Sequence, residues 1–312
     1  AVLTVVPTRA SVAITEFMAA AKFSLPDEDG EPSDWIEITN SGADDLSLAG
    51  YSLTSNPTDL RRWIFPNVEL DAGASLVVFA SGKNHATLGE PLHCNFKLSA
   101  DAGGYLALVK PDGVTVASEY AGYPEQFSDI SYGEAVGVAL PGFFPLPTPG
   151  VENGLRFDGI TADTKFSIDR GLFEAPFELA ITTSTTGATI RYTTDGSLPS
   201  ETAGIIYTAP IPISSTTGIR AMAYKVGFYP TDIDTHTYIF PADVPGQQAM
   251  SSEITGDPVY GPQMVDALAS IPTIALSFAG TDIDRTEIAV SVELLNFEDG
   301  PMQVDAGAVR YG

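Results

Sequence analysis

The sequence predicts a mainly β protein: β-sandwich domains in tandem, followed by a small α+β block at the C-terminal end. Three observations support this prediction. Short runs of β-branched and aromatic residues recur along most of the 312 residues. Glycine and proline, present 29 and 23 times, separate these runs at turn positions. The one convincing helical pattern lies in the last block, residues 242–312.

The first block of predicted strands occupies residues 11–133, after an apolar N-terminal strand in residues 1–10. Residues 35–39 alternate between apolar and polar side chains, as expected for a strand with one buried face. Pro111, Asp112 and Gly113 separate two further runs and have the composition of a hairpin turn. Strands at this spacing favour a sandwich.

Residues 134–165 form the next segment, a proline-rich linker. Four prolines fall within residues 141–150, which excludes a helix interior or a central strand. We therefore predict a stiff, extended connector. Phe143 and Phe144 are expected to pack on a neighbouring domain, since two exposed phenyl rings would be costly.

A second strand block covers residues 166–241. The run at residues 189–194 leads into Asp195, Gly196 and Ser197, which are typical of a tight turn. Residues 219–224 alternate again. A block of this length is the size of a small sandwich.

The last block, residues 242–312, combines one helix with three strands. Asp257 is a candidate helix cap, and Pro272 is expected to end the helix. Four apolar residues would share one helix face: Met264, Val265, Leu268 and Ile271. We predict strands at residues 273–278, 288–295 and 303–311.

The first block resembles a bacterial lamin tail domain. The resemblance rests on the stretches ITEFMA (14–19), DWIEITN (34–40), LAGYSLT (48–54), WIFP (63–66), VVFASGK (77–83) and LHCNFKL (92–98). It implies an immunoglobulin-like β-sandwich for residues 11–133.

Two further resemblances cover the rest of the chain. Residues 166–241 are similar to the immunoglobulin-like C-terminal domain of chitobiase-type enzymes, an accessory module, through GATIRYTTDGSLP (187–199) and IRAMAY (219–224). Residues 247–312 resemble the N-terminal entrance of a CotH-like secreted kinase, but none of the kinase's catalytic segments follows. This order of modules resembles large exported proteins of planctomycete- and verrucomicrobium-like bacteria.

The charge balance limits which classes of binding partner are favourable. Forty acidic residues against 15 basic ones give a net charge of −25, so nucleic acid and anionic membrane surfaces are poor partners. No apolar run is long enough for a membrane helix, and we expect no membrane insertion. With one cysteine, Cys94, no internal disulfide can form. The thiol is expected to be buried, the alternative being an exposed link between two chains.

An acidic run near Gly30 is the candidate metal site. Its carboxylates could supply hard oxygen ligands for Ca²⁺, although a solvated hairpin tip is the favoured interpretation. The residues are Asp27, Glu28, Asp29, Glu31 and Asp34. The three histidines show no zinc-binding spacing, and no cofactor other than calcium is expected.

Two further sites concern partners. Phe228 and Tyr229 lie between Gly227 and Pro230, where an exposed ring could stack on a surface glycan, although aromatic residues here more often belong to a core. The apolar N-terminal run could add a strand to its own sandwich or to a second copy. That run is Ala1, Val2, Leu3, Thr4, Val5 and Val6.

These observations predict a non-enzymatic, extracellular or cell-surface structural protein. It would space, display or self-associate, and head-to-tail strand addition would make it a filament subunit. Two alternatives stay open. One is the accessory N-terminal region of a CotH-like kinase, and the other is a carbohydrate-binding module.

Overall fold

The computed structural model describes residues 11–135, 138, 140–247, 250–280, 283, 285–297, 300 and 302–311. The chain divides into two units, residues 1–159 and 160–312. Both are built mainly from short antiparallel strands, which confirms the predicted mainly β class. The N-terminal run Ala1 to Val6 lies outside the described residues.

Thirteen strands begin within the first unit. They are β1 (Val12–Met18), β2 (Trp35–Asn40), β3 (Leu46–Ser47), β4 (Ser52–Thr54), β5 (Trp63–Ile64), β6 (Glu69–Leu70), β7 (Ser75–Phe79), β8 (Leu92–His93), β9 (Gly104–Val109), β10 (Val116–Tyr123), β11 (Ser131–Gly133), β12 (Gly142–Phe144) and β13 (Gly159–Ile160).

The first unit is a sandwich of two sheets. One sheet has the order β12-β11-β1-β2-β7-β8, the other β10-β9-β4-β5. Phe17 of β1 joins them, with its ring centroid 5.1 Å from that of Tyr120 and 4.9 Å from that of Tyr123. Such edge and tilted contacts between aromatic rings are typical of a sandwich core.

The proline-rich segment supplies an edge strand to this sandwich. Gly142, Phe143 and Phe144 pair with β11, and both phenylalanines are buried. The strand itself contains no proline, since Pro141 and Pro145 flank it, and on its outer side Phe143 exchanges two backbone hydrogen bonds with Phe157. The proline content therefore excluded a central strand here, but not a strand.

Two facing glutamates fasten the rest of this segment to β1 and β2. Glu16 and Glu37 are cross-strand partners and are buried. Glu16 accepts hydrogen bonds from the backbone N–H and the hydroxyl of Thr148, at 3.1 and 3.0 Å, and Glu37 accepts one from the N–H of Gly150 at 2.6 Å. These donors offset the repulsion between the two carboxylates.

The second unit contains the remaining strands and the helices. The strands are β14 (Lys165–Phe166), β15 (Gly171–Leu172), β16 (Phe177–Leu179), β17 (Ile181–Thr182), β18 (Thr189–Thr193), β19 (Ile205–Ile206), β20 (Ile211–Ile213), β21 (Thr217–Tyr224), β22 (Phe228–Tyr229), β23 (Asp234–Ile239), β24 (Thr273–Ser277), β25 (Ile288–Leu295) and β26 (Met302–Ala308). The α-helices are α1 (Ser252–Thr255) and α2 (Met264–Ser270), and 3-10 helices span Pro241–Gly246 and Gly261–Gln263.

The first part of this unit is a second small sandwich. Its main sheet has the order β15-β23-β21-β18-β19, and β16 pairs with β20 and β14 with β17. Isoleucine and aromatic side chains from these strands form one buried cluster, which includes Ile181, Ile190, Ile219, Tyr238 and Phe240. The predicted turn also forms, because Gly196 takes a positive φ of 77° that other residues rarely adopt.

The last part is an antiparallel sheet with the order β24-β25-β26. The helix before it is shorter than the sequence indicated. α2 begins at Met264, and Asp257 instead accepts the N–H groups of Val259 and Tyr260 in a turn, at 2.8 and 2.9 Å. Tight turns and 3-10 geometry therefore take the place of a longer helix between residues 257 and 263.

Candidate functional site

The C-terminal sheet has two chemically different faces. The register places Glu293 beside Gln303 and Ser291 beside Asp305 on one face. On the other face, Val292 lies beside Leu276 and Val304. This separation follows from the alternation of side chains along each strand.

The polar face is anchored to the second sandwich. Glu293 is fully buried and accepts hydrogen bonds from the backbone N–H of Thr237, at 2.9 Å, and from the Thr237 hydroxyl. Gln303 accepts the N–H of Thr235 at 2.8 Å and donates to the carbonyl of Ile233 at 3.2 Å. Two side chains of the C-terminal block thereby satisfy backbone groups of β23 that its short pairing with β15, at Tyr238 and Ile239, does not reach.

A buried arginine completes this contact. A guanidinium nitrogen of Arg170 lies 3.4 Å from a carboxylate oxygen of Glu293. Burial raises the pKa of Glu293, and the bonds from Thr237 and the charges of Arg170 and Arg220 moderate the rise. Removing one partner of a buried ion pair is strongly destabilising, so the pair of Arg170 and Glu293 holds the polar face in place.

The opposite face is apolar and largely open to solvent. We call it the apolar face. It consists of Ile274, Leu276, Val290, Val292, Leu294, Met302, Val304 and Ala306, as the strand registers place them. Ile274 is 63% exposed, Leu276 47%, Met302 52% and Val304 52%, whereas Val290 is buried. A contiguous apolar patch of this kind typically marks an interaction surface.

The strand edges of this sheet add to that surface. Within the described sheets, β24 and β26 each have a single neighbour, β25. The outward backbone groups of an edge strand form a template for another strand. An apolar face bordered by such edges can accept an added β-strand, with backbone bonds at the edge and side chains on the face.

The acidic run folds as a hairpin tip held by one lysine. Asp27 accepts the N–H groups of Asp29 and Glu31, at 3.0 and 3.1 Å, and the ammonium group of Lys83, at 2.8 Å. Although its burial opposes this, these bonds lower the pKa of Asp27 to about 2. Lys83 also lies 2.5 Å from Asp29.

The five predicted calcium ligands are not equivalent in this arrangement. Asp34 accepts the N–H of Ala21 at 3.2 Å, and Glu28 bonds to His93. Asp27, Asp29 and Glu31 face Lys83 instead, within 3.9 Å. A calcium ion at these carboxylates would compete with the ammonium group, so calcium binding stays a prediction.

The predicted glycan contacts are partly covered. The ammonium group of Lys225 lies 4.2 Å from the ring centre of Phe228, so one face of that ring is occupied by a cation–π contact. Tyr229 is exposed, and its carbonyl accepts the N–H of Thr161 at 2.8 Å. Glycan binding at these two residues stays a prediction.

Cys94 is buried, as expected, and burial raises the pKa of its thiol to about 12. A thiol in this state is a poor nucleophile. As for membranes, none of the helices in the described residues is long and apolar enough to cross one.

The sequence predicted strands in the C-terminal block, but not which of their faces lies open. Alternation at Ile274, Leu276, Met302 and Val304 indicates an apolar face. Glu293 and Asp305 lie on the other face, and acidic residues usually indicate a solvated face, so the sequence did not indicate that this face is the one packed on protein. The partners of Glu293 are Thr237 and Arg170, more than 50 residues away, so spacing could not identify them.

Two family models match parts of the chain. One, described as Lamin Tail Domain, matches residues 6–122, and one described as Fn3 associated matches residues 179–238. The lamin tail resemblance is confirmed over that range. The second match carries a different description from the chitobiase-type domain that the sequence suggested. No curated protein matches the chain.

Proposed function

We propose that the chain is a non-enzymatic structural protein, exported to the cell surface, whose copies associate through the apolar face. The observation that carries this proposal is the open apolar face of the β24-β25-β26 sheet. Covering exposed apolar surface is favourable, with a free energy of roughly 25 cal/mol for each Å² removed from water. Lamin tail and Fn3-associated domains, both β-sandwiches without a catalytic motif in this sequence, are consistent with a structural role.

The proposed occupant of the apolar face is the N-terminal run Ala1 to Val6 of a second copy. This run is apolar, β-prone and uncharged, which suits a strand added at an edge. Charge also favours the pairing. Residues 1–10 contain Arg9 and no acidic residue, whereas residues 242–312 contain eleven acidic and two basic residues.

Such a contact joins different surfaces of the two copies. A head-to-tail contact that does not close on itself produces a fibre, and we propose a filament as the product. Residues 247–312 resemble the entrance of a CotH-like kinase, and this resemblance is compatible with a filament. The same sheet would occur in a kinase and, in this chain, at a contact between copies. In this chain its apolar face would be covered by a neighbour.

One charge on the apolar face tests the proposal. Val304→Lys places an ammonium group on this face, in the edge strand β26, whereas Val226→Lys makes the same change at a valine that is 92% exposed elsewhere in the second unit. Burying an unpaired charge is unfavourable by several kcal/mol. We expect Val304→Lys to weaken association at least about tenfold, which corresponds to 1.4 kcal/mol.

The measurement is the molar mass by light scattering over a concentration series. Val226→Lys should behave as the wild-type chain does. The proposal is wrong if the wild-type chain is monomeric at the highest concentration reached, or if both lysine variants associate equally well.

A further inference from the structure

Two histidines and one glutamate meet in the first unit, although the sequence keeps them apart. His85 and His93 form an isolated antiparallel bridge, with the N–H of His93 donating to the carbonyl of His85 at 2.9 Å. Their ring centroids are 5.5 Å apart. Glu28 reaches them from the hairpin tip between β1 and β2.

The ligand atoms of these three side chains form a compact group. One carboxylate oxygen of Glu28 lies 2.8 Å from Nε2 of His93, and the other lies 3.8 Å from Nδ1 of His85. All three ligand atoms lie within 4.8 Å of one another. Ligand atoms of a tetrahedral zinc ion, bound at about 2.0–2.2 Å, are separated by about 3.3–3.6 Å, so the three side chains would need only small rotations to hold an ion.

His93 is fixed in the orientation that a metal ligand needs. Its side chain is fully buried, and its ring stacks on Phe79 with the centroids 5.1 Å apart. Its Nδ1 lies 2.7 Å from the hydroxyl oxygen of Ser81. Without a metal, the Nε2 proton is donated to the Glu28 carboxylate, and the Ser81 hydroxyl can donate to Nδ1. With a metal at Nε2, the ring proton moves to Nδ1 and is donated to the Ser81 hydroxyl, which frees the Nε2 lone pair for the ion. This is the usual outer support of a metal-bound histidine.

We propose that Glu28, His85 and His93 bind a divalent transition-metal ion of the zinc class. Two imidazole nitrogens and one carboxylate oxygen are a ligand set that zinc uses when it keeps a fourth position open. The side chains of Glu28 and His85 are 34% and 53% exposed, so that position faces solvent. A metal ion here would join the hairpin tip to the loop between β7 and β8.

The neighbouring charges distinguish this site from the calcium prediction. Lys83 neutralises Asp27 and Asp29 at 2.8 and 2.5 Å, whereas Glu28 turns away to the histidines. Imidazole nitrogen favours zinc, copper or nickel, and all-oxygen sets favour calcium. The geometry therefore assigns Glu28 to the histidine group and not to the acidic run.

Zinc titration calorimetry on the full chain, first treated with chelator, tests the proposal. We expect the wild-type chain to bind Zn²⁺ at one site and His85→Gln and Glu28→Gln to bind it at least about tenfold more weakly. Glu31→Gln is the matched control, because it removes the same charge from the same loop at an exposed side chain. It should bind as the wild-type chain does. Both His85 and Glu28 are accessible enough to be replaced without disturbing the core.

Three further measurements separate the outcomes. Co²⁺ in place of Zn²⁺ should give the strong visible absorption of tetrahedral coordination in the wild-type chain and not in His85→Gln. Ser81→Ala should weaken zinc binding by about 10- to 100-fold, and excess Ca²⁺ should not displace the zinc. The proposal is overturned if the wild-type chain binds no zinc at millimolar concentration, or if Glu28→Gln and Glu31→Gln weaken binding equally.

Discussion

At the residue scale, His236 shows how burial controls a titratable group. Its ring stacks in parallel on Phe166, with the centroids 4.0 Å apart. Burial and the positive charge of Arg170 lower the pKa of His236 to about 4, against a smaller opposing effect of Asp169. Histidine in the unfolded chain has a pKa near 6.5. Between about pH 6.5 and about pH 4, His236 is therefore protonated in the unfolded chain and neutral in the folded chain.

This difference predicts acid destabilisation of the second unit. The folded pKa is the lower one, so the stabilisation is complete above about pH 6.5 and is lost as the pH falls towards 4. We expect a loss of about 2 kcal/mol of unfolding free energy between about pH 7.5 and about pH 5. His236→Gln, which does not titrate, should lack this loss.

Urea titrations of both chains at the two pH values measure the effect. The comparison with His236→Gln is needed because burial raises the pKa of Glu293 and Asp234, and groups with a raised carboxyl pKa change stability in the opposite direction as the pH falls. Equal pH dependence in the two chains would contradict the assignment to His236.

Also at the residue scale, the sequence could not predict the histidine group. His85 and His93 are eight positions apart, which fits no zinc motif. An isolated bridge between a loop and the short strand β8 brings them together. The bridge depends on how the loop after β7 folds back onto β8, and Glu28 joins the histidines from 65 positions away, so the spacing of the two histidines carries no information about the group.

At the scale of elements, strands with clear alternation could be predicted well. The run at Ile288–Leu295 was predicted with the bounds that β25 has, and Trp35 begins β2 as expected. Elements governed by tertiary contacts were harder to predict. Helix α1 has only four residues and little local pattern. The edge strand β12 also lacks a local pattern, because Phe143 and Phe144 are held by β11 and the core and not by neighbours in sequence.

The proline-rich segment gives a prediction at this scale. Phe144 is 1% exposed, whereas Leu146 of the same segment is 83% exposed. If the segment is part of the first sandwich, Phe144→Ala should lower the unfolding free energy by about 3–5 kcal/mol. Leu146→Ala should change it by less than about 0.5 kcal/mol.

Chemical denaturation of the full chain, followed by the fluorescence of Trp35 and Trp63 in the first unit, checks this pair. Both tryptophans are buried there, so their emission reports the first sandwich. A small effect of Phe144→Ala, equal to that of Leu146→Ala, would show that the segment is only a connector.

At the scale of the whole molecule, both sandwiches bury their apolar side chains, and the C-terminal sheet is the exception. Each sandwich buries its large apolar side chains between sheets, as with Phe17 in the first and Tyr238 in the second. The C-terminal sheet does the reverse, since it packs its polar face on the sandwich through Glu293 and leaves its apolar face in solvent. The net charge of −25 keeps copies apart in general, so association would require a specific contact.

The most direct test of this account mixes two defective chains. A chain lacking residues 1–7 keeps the apolar face and lacks the proposed donor strand, and Val304→Lys keeps the donor strand and lacks an intact face. Sedimentation velocity should show each alone as a monomer, and an equimolar mixture as a dimer of the two chains that grows no further. Monomers in the mixture, or wild-type assembly by either chain alone, would contradict the account.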